Sequence, residues 1–487
     1  MCSTDRTTSS QEYLVKPSMN GMDERSYILQ QQHQQQLQQQ QQAMNGVDNL
    51  KNCPKFASFN YINSIIGSGV IGIPYAFNLS GVGMGVILLA LVAIITDYSL
   101  VLMLRSAHIS GSFSYQSLMK SAFGRPGFVV LSFLQFIYPF IAMISYNIIV
   151  GDTATKVLIS LFSLPHDSIF AQRYFVIAMA TIFITTPLCM LRNVARLAKA
   201  SVVSFIMVLV IFVAIVVRYK SLHDAMSTAS EVGDIHTWDF ARPGMIQAIG
   251  IMSFGFMCHH NVFLLYDSIE GASQTIWNYV THFAVTISFL LMVAFGLVGY
   301  ATFGDLTQGD LLENYCWNDD LINISRLLFS LITLLTFPLE CMVIKAVVDQ
   351  TLRGDTNPIL NPMSKKRHAI ITISILVATY LISISTRCLG IALEINGVMA
   401  AIPLAFVLPA AIYIKISNDS WKKKIPAFFL ALFGMIIAVS GLTLVTIEIL
   451  TSTTTDSCEN DSMMDHCNIN ETHHNFQPVT SLSYNLI

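Results

Sequence analysis

Residues 56–78, FASFNYINSIIGSGVIGIPYAFN, form an apolar run of membrane-spanning length with Gly67, Ser68 and Gly69 in its middle. Such a triplet breaks a helix. A break inside a bilayer frees N–H and C=O groups that lipid cannot satisfy, so it persists only where protein surrounds it or a cavity adjoins it. The chemistry it offers is ion and dipole binding. N–H groups opening the half-helix after Gly69 present a positive dipole end to an anion, and carbonyls closing the preceding half suit a cation. An amino acid and a sodium ion fit the two ends. The plainer reading is a small-residue packing face.

A second polar interruption follows at 254–261, FGFMCHHN, inside the apolar stretch 245–266. Polar residues at membrane depth are expensive and point to function. Five spans separate the two interruptions, the spacing of two inverted five-helix repeats whose first helices are both broken at a shared site. Cys258, His259 and His260 suggest a metal site as the competing idea, but adjacent residues on a helix point in different directions. The stretch 322–345 adds Thr333, Thr336, Pro338 and Glu340. Its hydroxyls are hard oxygen ligands suited to a small cation beside the first break; alternatively they bond their own helix backbone. No nucleophile, base and oxyanion-donor set converges in the sequence, so an enzyme is not expected.

These segments must be positioned by membrane helices. The chain is 53% hydrophobic and 12% charged, with mean hydropathy +0.57, too apolar for a soluble globular protein. The expectation is an all-α polytopic membrane protein. Eleven spans are read at 56–79, 83–104, 127–150, 171–191, 197–217, 245–266, 280–303, 322–345, 368–386, 388–414 and 425–449. The transporter domain then covers 54–450, between a disordered cytosolic tail at 1–53, with its glutamine tract at 30–42, and an extracellular tail at 451–487. Lys120, Arg125, Arg192, Arg196, Lys199, Lys365, Lys366, Arg367 and the lysines at 422–424 fall on one side, which the positive-inside rule makes cytosolic. The opposite loop, 304–320, holds five acidic residues and no basic one. Sequons at Asn460 and Asn470 agree with an outer C-terminal tail, where Cys458 and Cys467 are able to pair. Net charge −3 carries no partner information, and nucleic-acid binding has no support.

The runs NSIIGSGVIGIPYA, FGFMCHHNVFLLY, ATFGDLTQGDLLENYCWNDDLINISRLLFSLITLLTFP and LEINGVMAAIPLAFVLPAAIYIK resemble those of the sodium-coupled neutral amino acid transporters, solute carrier family 38, of the amino acid/auxin permease superfamily. The likeness covers the membrane domain. It implies a LeuT-type fold of 5+5 inverted repeats plus one extra helix. It also implies that Asn63 and Thr336, with Thr333 as a second hydroxyl, bind sodium. The backbone of Gly67, Ser68 and Gly69 would take the substrate carboxylate, and carbonyls around Phe254, Phe256 and Cys258 the amino group. One departure stands out: relatives carry a disulfide in the loop between the fifth and sixth helices, whereas 220–243 here contains no cysteine.

The implied function is sodium-coupled symport of neutral L-amino acids by alternating access, with no cofactor beyond the transported ion. The expected setting is a functional monomer in membrane lipid, at the plasma membrane or alternatively a lysosomal or endosomal one. Proton coupling and an intracellular amino acid sensor are the alternatives. Asp97 within the second span reads as snorkelling or capping, with a proton relay as the alternative, and Glu394 and Asn396 of the tenth span read as candidates for gating.

Overall fold

The computed structural model describes residues 54–67, 69–165, 168–191, 200–229, 238–269, 271–353, 363–386 and 388–451. Its elements are helices. In chain order they are α1 (Pro54–Ile66), α2 (Ile73–Ser80), α3 (Val82–Ser110), α4 (Tyr115–Phe162), α5 (Arg173–Met190), α6 (Ala200–Ala229), α7 (Met245–Gly255), α8 (Val262–Asp267), α9 (Gln274–Phe303), α10 (Asp320–Arg353), α11 (Lys365–Ser385), α12 (Leu389–Ile416) and α13 (Trp421–Thr451). Among the described residues nine helices are long and apolar enough to cross a membrane: α3 to α6 and α9 to α13. The remaining four are the two interrupted pairs, α1 with α2 and α7 with α8.

The first interruption begins at Gly67, whose φ of 34° lies in the left-handed region that favours glycine. Its N–H still donates to the Asn63 carbonyl at 3.2 Å, the last bond of α1. A 3₁₀ turn over Gly69–Gly72 then leads into α2, whose first turn holds Pro74. Proline suits that position because its missing N–H would be unpaired there anyway. In the second interruption α7 closes with Phe256 N–H donating to the Met252 carbonyl at 3.0 Å. The chain passes through Met257 and Cys258 before a 3₁₀ turn at His259–Asn261.

Glycines set how closely these pieces approach. A Cβ on Gly69 would lie 2.5 Å from Gly255 Cα, and one on Gly397 of α12 would lie 1.9 Å from the Gly250 carbonyl oxygen. Thus α7 is wedged between the first break and α12, and its residues from Ala248 to Gly255 are all buried. By contrast α13 turns Phe429, Ile436 and Val439 outward, an apolar face fit for lipid.

Helix α4 runs well past the expected limits of 127–150 at both ends, with a non-helical Gly124 marking a kink near its start. Polar residues in its last turns find partners and so do not end it. Asp152 pairs with Arg173 of α5, and Lys156 Nζ lies 2.7 Å from Glu313 of the acidic loop. That loop, 304–319, folds around Arg326 of α10, which is fully buried and donates to the carbonyls of Leu312, Tyr315 and Cys316. Gly309 of the loop abuts Leu389 and Gly390, and Cys316 and Cys388 are both disulfide-bonded. The loop 304–319 and the residue just before α12 thus each carry a disulfide-bonded cysteine, whereas 220–243 contains no cysteine.

Candidate functional site

The two breaks meet. Gly69 opens the 3₁₀ turn against the end of α7, with the Phe254 ring 3.5 Å from the Cβ that Gly69 lacks. Phe254, Phe256 and Cys258 are buried, and the Cys258 thiol donates to the Tyr61 hydroxyl of α1 at 3.5 Å. Gly67 and Gly69 stand at the first break; Ser68 lies outside the described residues. A substrate carboxylate at Gly69 would therefore sit within a few ångströms of α7 backbone, the juxtaposition a zwitterion requires.

The cation candidates are less tightly gathered. Asn63 is half-buried, and no hydrogen bond joins its side chain to Thr333 or Thr336 among the described residues. The Thr333 hydroxyl donates to the Ser330 carbonyl at 2.9 Å and that of Thr336 to the Ile332 carbonyl at 2.8 Å. This is the backbone-bonding arrangement, yet a hydroxyl that donates its proton keeps its lone pairs for a cation. Both readings of these threonines are thus compatible with the geometry.

Side chains on neighbouring helices frame the breaks, and few of them stand out in the sequence. The Tyr138 ring of α4 lies 5.9 Å from that of Phe254 and 5.3 Å from that of His260. Asn396 of α12 donates to the Tyr138 carbonyl at 3.1 Å, tying α12 to α4. Asn261 donates to the Ser64 hydroxyl at 3.4 Å, tying the second break to α1. Cys258, His259 and His260 do not converge: His259 turns to Ser99 at 3.2 Å, and His260 Nε2 lies 3.6 Å from a Glu340 oxygen. Their three directions leave no shared metal site at Cys258, His259 and His260. Among the described residues no group of three or more His, Cys, Asp or Glu side chains is placed to hold a metal ion.

The surroundings are polar enough for small ligands. Asn147 Nδ2, Ser253 Oγ, Glu394 Oε1 and Asn396 Oδ1 are buried without a hydrogen-bond partner. Buried polar atoms without partners are costly and mark places where function sets the arrangement. Glu394 and Asn396 were visible in the sequence as polar residues in an apolar span. Tyr138, Tyr61 and Ser64 carry no such signal.

The family profile described as "Transmembrane amino acid transporter protein" matches residues 54–454. The chain is 42% identical over 431 residues to a Danio rerio protein provisionally named sodium-coupled neutral amino acid transporter 11, covering 88% of this chain and 92% of that one. It is 30% identical to vacuolar amino acid transporter 2 of Saccharomyces cerevisiae, covering 84% and 86% of the two chains. In fold it is similar to MhsT in complex with L-phenylalanine, with TM-score 0.50, 13% identity and coverage of 80% and 97%. It is also similar to a mutant manganese transporter of Eremococcus coleocola, with TM-score 0.52, 11% identity and coverage of 86% and 92%. The helices, the two breaks and these likenesses agree on a LeuT-type arrangement, and the chain belongs to the transmembrane amino acid transporter family.

Proposed function

We propose that this protein is a sodium-coupled symporter of neutral L-amino acids that works by alternating access. The observation that carries the reading is the meeting of the two breaks at Gly69 and Gly255. The substrate carboxylate binds the backbone of Gly67, Ser68 and Gly69, and the amino group binds carbonyls around Phe254, Phe256 and Cys258. Sodium binds between Asn63 and the hydroxyls of Thr333 and Thr336. The sodium-coupled name of the Danio rerio relative supports the ion. Sodium drives the cycle only if it prefers one state, and a site shared between α1 and α10 provides that preference when the two helices move relative to each other.

The reading counts each interrupted pair as one crossing beside the nine helices of spanning length among the described residues, eleven in all. The N-terminal tail is then cytosolic, and Asn460 and Asn470, outside the described residues like Cys458 and Cys467, face an extracellular or luminal space. The protein acts as a monomer in the plasma membrane, or in a lysosomal or endosomal one. The test is uptake of labelled neutral amino acids into proteoliposomes, with sodium replaced by choline at fixed pH. Uptake that survives the replacement would remove sodium from the account.

A further inference from the structure

Cys189 of α5 and Cys341 of α10 are buried, with their thiols hydrogen-bonded to each other. A second contact fixes the same pairing. Lys345, one turn beyond Cys341 on the same face of α10, donates from Nζ to the Cys189 carbonyl at 2.7 Å. The third free cysteine among the described residues, Cys258, bonds to the Tyr61 hydroxyl instead. Neither helix is regular where it presents its thiol. Pro187 precedes Cys189 and follows a wide π-helical turn over Thr181–Thr185, and Pro338 of α10 precedes Cys341. A proline removes one bond from the helix ladder, so both segments are able to shift the sulfurs from contact to a bonding distance of about 2.05 Å.

The pair also lies within reach of solvent. Met190 and Leu191, which follow Cys189 at the end of α5, are exposed. On the α10 side, Lys345 Nζ lies 3.3 Å from Nε2 of the half-buried His368 near the start of α11. On the proposed topology these helix ends face the cytosol, whose reductants keep thiols unoxidised. Local opening at the end of α5 admits a small oxidant. The reacting species of a thiol is its thiolate, and Lys345 supplies the cationic neighbour that such a thiolate needs.

We propose that Cys189 and Cys341 are a redox-sensitive dithiol, which a peroxide closes into a disulfide that ties α5 to α10 and slows transport. With hydrogen peroxide, one thiolate attacks an oxygen: an S–O bond forms, the O–O bond breaks, and the other oxygen leaves as water after taking a proton. The second thiol attacks the resulting sulfenic acid. The S–S bond forms, the S–O bond breaks, and a second water leaves with the remaining thiol proton. The sulfurs together lose two electrons and the peroxide gains them. A soluble dithiol reverses the step by exchange. Cys341 is five positions from Thr336, so a bond at Cys341 displaces the turn of α10 that holds sodium. That slowing rests on the symporter reading above, whereas formation of the disulfide does not.

The experiment treats the full chain, reduced and in proteoliposomes, with hydrogen peroxide. Labelled neutral amino acid uptake under a sodium gradient is measured, and the alkylated protein is then digested with trypsin for mass spectrometry. The tryptic peptides 174–192 and 327–345 contain Cys189 and Cys341 and no other cysteine. They are expected to appear joined, two hydrogens lighter than their sum, while uptake falls about threefold or more. Dithiothreitol is expected to reverse both changes. Cys189→Ser and Cys341→Ser are expected to retain uptake, give no joined peptide and resist peroxide, which separates this pair from oxidation of Cys258. Absence of the joined peptides in wild type would overturn the dithiol. Joined peptides with unchanged uptake, or equal loss of uptake in the serine variants, would overturn its control of transport. No uptake by the reduced protein would overturn the symporter reading alone, because the joined peptides are read without it. Should a serine variant fail to fold, the wild-type peptides and their reversal still decide.

Discussion

Gly69 and Gly255 touch backbone to backbone: a methyl group on Gly69 would fall 2.5 Å from Gly255 Cα, whereas one on Gly255 would meet its nearest atom, Met292 Cε, at an ordinary 3.5 Å. The contact is asymmetric, although both residues are glycine. Gly69→Ala should force the two breaks apart and lower uptake about tenfold or more, the cost of overpacking being roughly 1–3 kcal/mol. Gly255→Ala should stay within about threefold of wild type, a difference under 1 kcal/mol. Initial rates of uptake at matched surface expression would check both.

Arg326 organises the acidic loop from within. It donates to three loop carbonyls and, at 2.6 Å, to Asn323. Arg326→Leu removes those donors and leaves the carbonyls buried, so a loss of about 3 kcal/mol or more is expected. The readout is a lower melting temperature together with faster proteolysis in the loop 304–319. Arg326→Lys should recover part of the stability, since an ammonium cannot reach all of these acceptors at once.

Asp310, in the same loop, is buried, and that burial with the nearby Glu313 and Asp152 charges pushes its carboxyl up to about 8, against the pull of the Leu312 N–H and Lys156. A carboxyl raised in the folded state keeps a proton that the unfolded chain has released. Stability from this group therefore falls as pH rises from about 4 to about 8 and is level beyond. Asp310→Asn, which retains an oxygen for the Leu312 N–H, should melt higher than wild type at pH 8, with the two curves converging near pH 4. Parallel curves at all pH values would contradict the assignment.

Both breaks are legible in the sequence because Gly67 and Gly69, and the run from Cys258 to Asn261, interrupt otherwise apolar spans. What they touch is not. Asn396 and Tyr138 are 258 residues apart, and their contact follows from how α12 and α4 cross, which no local pattern encodes. Arg326 reads from sequence as an ordinary residue near a helix end; only the loop carbonyls folded over it make it part of the core. Likewise the extension of α4 beyond 150 depends on Arg173 and Glu313, which supply partners for Asp152 and Lys156 from elsewhere in the chain. The threonines of α10 stay ambiguous in sequence and in structure for one physical reason: bonding a helix carbonyl and ligating a cation use different parts of the same hydroxyl.

On the proposed reading, sodium held between α1 and α10 drives amino acid movement. The most direct measurement is uptake of a labelled neutral amino acid into proteoliposomes across a range of sodium concentrations, comparing wild type with Asn63→Ala combined with Thr336→Ala. Removing two oxygen ligands, at on the order of 1 kcal/mol each, should raise the sodium concentration for half-maximal uptake at least tenfold while amino acid uptake remains measurable at high sodium. Identical sodium dependence in the two proteins would contradict the account.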